Sequence, residues 1–226
     1  MEPLHEYISE LQTLFKAGAR ATYSKGETVI RPENTPQGVF LITEGYVKSY
    51  DITKYGEENL LVIRRKNQIF PLLWTMTGKR TEVYYQALSD VVVYRIDRES
   101  YLKKLNEDPK FTRAVLDQVL YMYEMHSQRV LNLEYRTAPE RIAFRLVMLA
   151  DRFGNKIKEG VEIALPIRHH DIADSVNCSR ETVSRELTKL QKRGFVKSVN
   201  GSLVITDIHR LMDFVDVQES IRNRFG

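Results

Sequence analysis

Between Ile167 and Phe195 the chain carries residues whose types and spacing suit the reading of a double helix. Val183, Leu187 and Leu190 recur at intervals of four and three, the period of one buried helical face. Arg180, Glu181, Ser184, Arg185 and Thr188 fall off that stripe, several on the opposite face. An arginine fork can donate two hydrogen bonds to guanine O6 and N7, and a glutamate can accept from cytosine N4. Serine and threonine hydroxyls can hold phosphates and fix register. The same residue types also make an ordinary solvated face, laced by pairs such as Glu181–Arg185 at i,i+4. On these residues alone both readings stay open.

The neighbouring sequence contains what would position such a face. Ile172, Ala173 and Val176 are the apolar or small positions of a short preceding helix. Asn177-Cys178-Ser179 makes the turn. A short polar side chain such as Asn177 tolerates a left-handed backbone better than most. Ser179 can cap the next helix, and Glu181 in its first turn complements the helix dipole. Gly194 stops that helix. Asn200-Gly201 then joins Phe195–Val199 to Ser202–Ile205, a strong signal for a type I′ hairpin, which reads as a wing. From Arg168 to Lys197 there are seven Lys/Arg against four Asp/Glu, a modest basic excess on a chain of net charge +4.

The rest of the 226 residues reads in two styles. Residues 20 to 97 hold short alternating runs: Val39–Ile42, Val47–Tyr50, Leu60–Ile63, Val83–Ala87 and Val91–Ile96. Turn residues separate them, as in a barrel or sandwich. From Asp97, a plausible N-cap, the period turns helical through Leu105. Asp108-Pro109 opens a long helix with proline at its first position. In it Leu116, Val119, Tyr123, His126, Val130 and Leu133 are spaced 3-4-3-4-3, the seam of a coiled coil. At 1.5 Å per residue its roughly 27 residues would span about 40 Å. That is more than one small barrel covers, so a homodimer seam is expected beside the simpler possibility of packing on its own domain. Thr137-Ala138-Pro139-Glu140 starts the next helix, through about Asp151, and places the hinge between domains.

Other chemistries find little support. The single cysteine, Cys178, allows no disulfide and no Cys-only metal or iron–sulfur site within one chain. It reads as a small buried residue of the turn. Residues 20 to 110 contain no histidine, so no haem ligand is expected there. In His169-His170-Asp171 adjacent helical residues diverge, so no metal site is expected; His170 suits a phosphate at the start of the helix-turn-helix. There is no nucleophile–base pair or phosphate-cradling glycine loop, so no enzyme is expected. No apolar run approaches the roughly 18 residues of a membrane span. The opening Met1–Glu6 lacks the order of a signal peptide, and a cytoplasmic protein without membrane contact is expected.

Cys178–Arg185, reading CSRETVSR, closely resembles the recognition helix of the CRP/FNR regulators (the cyclic-AMP receptor protein and the fumarate–nitrate regulator). The similarity extends over nearly the whole chain. Tyr23–Glu27 followed by Val39–Val47 looks like the opening of that family's β-roll. Val130–Leu133 looks like the end of its dimer helix, and Arg141-Ile142-Ala143 like the start of its DNA-binding domain. The resemblance implies an α+β fold: an N-terminal β-roll sensor of the cyclic-nucleotide-binding jelly-roll type (1–108), a dimerisation helix (109–136) and a C-terminal winged helix-turn-helix (137–226). It implies double-stranded DNA as partner, a homodimer, and RNA polymerase as a further partner. Arg180, Glu181 and Arg185 would read bases, with Ser184, Ser179, Thr182 and His170 beside them. Ser184-Arg185 is FNR-like and Arg180 is CRP-like. The expected operator is a palindrome with half-sites near TGTGA or TTGA, centred about one helical turn, roughly 34 Å, apart. The remaining alternative is a ligand-sensing β-roll that works without DNA.

For the sensor, the resemblance is split. Cyclic-AMP binders of the family carry Gly-Glu early in the phosphate-binding segment and Arg-Ser later. Here Pro71-Leu72 replace the first pair, and Arg80-Thr81 keep the second. Proline also removes a backbone N–H. The expected effector is therefore an unknown small molecule other than cyclic AMP. Its contacts are Arg80, Thr81, and His126-Ser127, which align with the base-touching positions. Arg80 can equally be a loop arginine in water, and His126 a polar seam residue.

Overall fold

Alternation between Ala19 and Ile96 becomes eight antiparallel strands in the computed structural model, which describes residues 7–225. They are β1 (Ala19–Tyr23), β2 (Thr28–Ile30), β3 (Val39–Glu44), β4 (Val47–Ile52), β5 (Glu58–Arg64), β6 (Ile69–Phe70), β7 (Tyr84–Ala87) and β8 (Val91–Ile96). Two four-stranded sheets result, ordered β1-β8-β3-β6 and β2-β7-β4-β5. Their inner faces share one cluster, with Phe40, Ile42, Phe70 and Val93 from the first sheet and Ile30, Val47 and Tyr85 from the second. Phe70 stacks on Phe40 at 5.2 Å and on Tyr85 at 5.3 Å. This is the expected β-roll. Met1–Glu6, read above for a signal sequence, lies outside the described residues.

The run Val39–Ile42 is apolar at every position because β3 is buried on both sides. Phe40 and Ile42 face the other sheet, while Val39 and Leu41 face a second cluster under helices. Those helices are α1 (Ile8–Lys16), α2 (Leu72–Thr77), α3 (Arg98–Glu107) and α4 (Pro109–Tyr135). They contribute Leu11, Phe15, Trp74, Tyr101, Leu105, Phe111 and Val115. The Asp97 carboxylate accepts from the Ser100 N–H at 2.7 Å and caps α3. Asp108 does the same for α4, accepting from Lys110 and Phe111 at 3.0 and 3.1 Å.

The helix α4 runs the full 27 residues expected. Leu116, Val119, Tyr123 and Val130 of its stripe are exposed within one chain, and Leu120, absent from the strict seam, is exposed with them. Among the described residues no helix is long and apolar enough to cross a membrane.

The chain divides into two compact units between Ser127 and Gln128, inside α4 rather than at its end. The last turns of α4 are tied into the second unit. Gln128 Nε2 donates to Gln218 Oε1 at 2.9 Å, and Arg136 Nη2 donates to the Val215 carbonyl at 3.1 Å. At Thr137 a capping box starts α5 (Ala138–Phe153), the Thr137 N–H donating to Glu140 at 2.8 Å. The unit continues with β9 (Gly154–Ile157), β10 (Gly160–Ile163), α6 (His169–Val176), α7 (Arg180–Lys192), β11 (Val196–Val199), β12 (Ser202–Ile205), α8 (Ile208–Phe214) and α9 (Glu219–Arg222). One sheet, ordered β11-β12-β10-β9, backs the helices.

Gly45 joins β3 to β4 at φ +80°, and a Cβ there would stand 2.1 Å from the Asp90 carbonyl oxygen. Gly45→Ala therefore combines left-handed strain with a backbone clash. It is expected to cost at least about 1–3 kcal/mol, read as a lower urea midpoint for the full-length protein.

Candidate nucleic-acid interface

Two backbone devices set the angle between α6 and α7. At the end of α6, Asn177 takes the left-handed conformation, φ 52° and ψ 57°. The Cys178 N–H returns to the Ala173 carbonyl at 3.2 Å. Two residues on, Ser179 Oγ accepts from the Thr182 N–H at 3.1 Å and caps α7. Arg141 of α5 braces the turn from beneath, with Nη2 3.4 Å from the Asn177 carbonyl oxygen and 3.4 Å from Cys178 Sγ. Cys178 is thus half-buried against a guanidinium, more open than the small buried residue expected.

The apolar stripe of α7 is buried as its spacing predicts: Val183, Leu187 and Leu190 are 0, 2 and 4% exposed. The opposite face is open. Arg180, Glu181, Ser184, Arg185 and Thr188 line one shallow surface. A neighbouring recess is lined by Arg168, His169, His170 and again Arg180. The structure therefore brings His170 next to the α7 set through Arg180. Ser179 and Thr182 lie at the start of the helix, hydroxyl to hydroxyl at 3.0 Å. Beyond α7, Gly194 at φ 72° lets the Phe195 N–H close on the Leu190 carbonyl at 2.9 Å. The β11–β12 wing turns at Asn200 and Gly201, both at positive φ, as a type I′ hairpin requires.

Charge pairing on α7 does not take the Glu181–Arg185 form of the solvated-face reading. Arg185 Nε lies 3.5 Å from Glu186 Oε1, and Lys189 Nζ lies 2.8 Å from the same oxygen. The Lys189 hydrogen bond, with Arg185 behind it, holds the buried Glu186 carboxyl below the usual carboxylate range. Among the described residues Glu181 takes no ion pair, so its carboxylate faces solvent unpaired. Glu186 was not legible as part of the site, because its charge gives no hint that the side chain lies at the buried edge of the helix.

The sensor residues are more scattered. Arg80 is exposed in the loop after α2. Thr81 is buried, and its Oγ1 accepts from the Val83 N–H at 3.3 Å. Leu72, which the resemblance sets against a glutamate of the family's cyclic-AMP binders, packs into the cluster under the helices, away from the β-roll interior. His126 is exposed and Ser127 half-buried on α4. Among the described residues no group of three or more His, Cys, Asp or Glu is placed to hold a metal.

Residues 20–108 match the cyclic nucleotide-binding domain family, and residues 140–214 match the Crp-like helix-turn-helix domain. The global nitrogen regulator of Synechococcus elongatus is 27% identical over 172 residues, covering 75% of this chain and 78% of the relative. The CRP-like cAMP-activated global transcriptional regulator of Mycobacterium tuberculosis is 26% identical over 204 residues, covering 90% and 91%. Among solved structures, a CooA mutant from Carboxydothermus hydrogenoformans aligns with a TM-score of 0.77 at 24% identity, over 90% of each chain. FixK2 from Bradyrhizobium japonicum aligns with a TM-score of 0.75 at 24% identity, over 86% and 96%.

The Ser179 cap orders the start of α7. Ser179→Ala is expected to lower stability by about 1 kcal/mol, measured by urea unfolding, because one N-terminal N–H of α7 loses its acceptor.

Proposed function

We propose that this chain, a DNA-binding transcription regulator of the CRP/FNR type, binds a palindromic operator as a homodimer under the control of a small effector in its β-roll. The observation that carries the DNA-reading part is the open face of α7. There, among the described residues, Arg180 and Glu181 project without ion-pair partners, on a helix whose other face is buried. A fork and a carboxylate held this way are free to meet base edges.

In this reading Arg180, Glu181 and Arg185 contact bases and Ser184 supports them. Ser179, Thr182 and His170 hold phosphates at the helix N-terminus, where backbone N–H groups and the helix dipole favour an anion. The half-sites are TGTGA- or TTGA-like. The exposed stripe Leu116, Val119, Leu120, Tyr123 and Val130 on α4 packs against the same stripe of a second copy, giving the two-fold symmetry that a palindrome mirrors. The division of labour is sensor 1–108, dimer helix 109–136 and reading head 137–226, with RNA polymerase engaged once the dimer is on its operator. The effector is a small molecule other than cyclic AMP, since Leu72 is a core side chain at the position of the ribose-binding glutamate.

Arg185→Ala is expected to weaken binding to a TGTGA/TTGA palindrome by about 1–3 kcal/mol and to relax one base position, scored by gel-shift titration. An unchanged affinity would remove Arg185 from the reading set. Wild-type binding should weaken steeply with salt, because phosphate contacts release counterions. A slope near zero would instead favour a β-roll sensor that acts without DNA. Tyr123→Glu places like charges on the symmetric stripe and should give a monomer by sedimentation, with operator affinity falling in parallel.

A further inference from the structure

Two cations are buried on the adjacent strands β4 and β5, and among the described residues only one of them has an anion. Lys48 is 5% exposed and is met by Glu58 at 2.5 Å. Arg64 is equally buried and is met by no carboxylate among the described residues. Strand register explains where Arg64 points. Arg64 pairs with Val47, and Ser49 pairs with Tyr85. Side chains alternate along a strand, so Arg64, Val47, Ser49 and Tyr85 share a face. Val47 and Tyr85 belong to the cluster between the two sheets. The guanidinium is therefore turned into the β-roll.

Its surroundings satisfy it only in part. Nη1 donates to Ser49 Oγ at 2.9 Å, and the guanidinium lies 5.2 Å from the centre of the Tyr85 ring. Among the described residues the buried Nε–H has no acceptor. Burial pushes the Arg64 pKa down, and Tyr85 opposes that shift. An unpaired cation and an orphan N–H inside a protein are both costly. One neutral hydrogen bond and a ring face do not replace an anion.

We propose that Arg64, flanked by the Ser49 hydroxyl and the Tyr85 ring, is the anchor for the anionic group of this protein's effector, a carboxylate or a phosphate. A guanidinium presents a planar fork that matches either group. Ser49 accepts from Arg64 and keeps its own O–H to donate to the anion. This moves the anchor from the exposed Arg80 to a side chain inside the β-roll. It rests on the reading of the β-roll as the effector domain, and gel-shift of the wild-type protein on its palindrome tests the DNA-binding reading separately.

The test is thermal unfolding of the full-length protein with millimolar succinate, inorganic phosphate, or sodium chloride at matched ionic strength. The wild type is expected to melt several degrees higher with at least one of the first two than with chloride. A response to succinate alone assigns a carboxylate, and one to phosphate alone a phosphate. Arg64→Leu replaces the uncompensated charge by an apolar side chain; it should melt higher than wild type without ligand and respond to neither anion. Ser49→Ala, a smaller change, should show a reduced rise. The proposal is overturned if the wild type responds to neither anion beyond chloride, or if Arg64→Leu keeps the full rise. Should Arg64→Leu fail to fold, an undiminished rise in Ser49→Ala overturns it equally.

Discussion

The reading head depends on a single left-handed residue. Asn177 reverses the chain between α6 and α7 at φ 52°, a region in which a β-branched or bulky side chain is strained. Because the reversal takes one residue, Ser179 arrives where its hydroxyl can cap α7, and Val183, Leu187 and Leu190 arrive over the core. With that face buried, Arg180, Glu181, Ser184 and Arg185 have nowhere to point but outward. Arg141 fixes the same turn from α5 through the Asn177 carbonyl and the Cys178 sulfur. The geometry available to DNA thus follows from a backbone conformation, a cap and a brace, none of which needs to touch a base.

Features set by local chemistry were legible in the sequence. Asn177, Gly194 and Asn200-Gly201 each take a positive φ that few residues accept, and Ser179 brings the side-chain acceptor that a helix start needs; the structure holds all of them where that chemistry demands. The Asp97 cap and the proline start of α4 were legible for the same reason. Features set by distant partners were not. The helix α1 rests on two buried anchors, Leu11 and Phe15, too few to stand out as a period. The helix α2 has six residues, shorter than two turns. The β9–β10 hairpin finds its pairing through β12, some forty residues further on, and its own sequence is mostly polar.

The candidate site divides along the same line. Residues on the open face of α7 could be named because helical spacing alone separates them from the stripe. Glu186 could not, since its role comes from Lys189 and Arg185 gathering around one carboxylate. In the sensor, attention to the family's phosphate segment led to Arg80, which the structure leaves in solvent. The buried cation that meets no carboxylate among the described residues of these strands is Arg64, at the end of the apolar run Leu60–Ile63. A charged residue at an inward position of a strand is itself a signal, but its face becomes clear only once register with Val47 is known.

In the proposed function the open face of α7, doubled by a two-fold axis along α4, reads a symmetric site. Selection from a pool of random duplexes by the full-length protein, followed by sequencing of the bound fraction, tests it most directly. The expected result is enrichment of an inverted repeat whose half-site centres are about one helical turn, roughly 10–10.5 base pairs, apart. Enrichment of an asymmetric site, or of none, would contradict it.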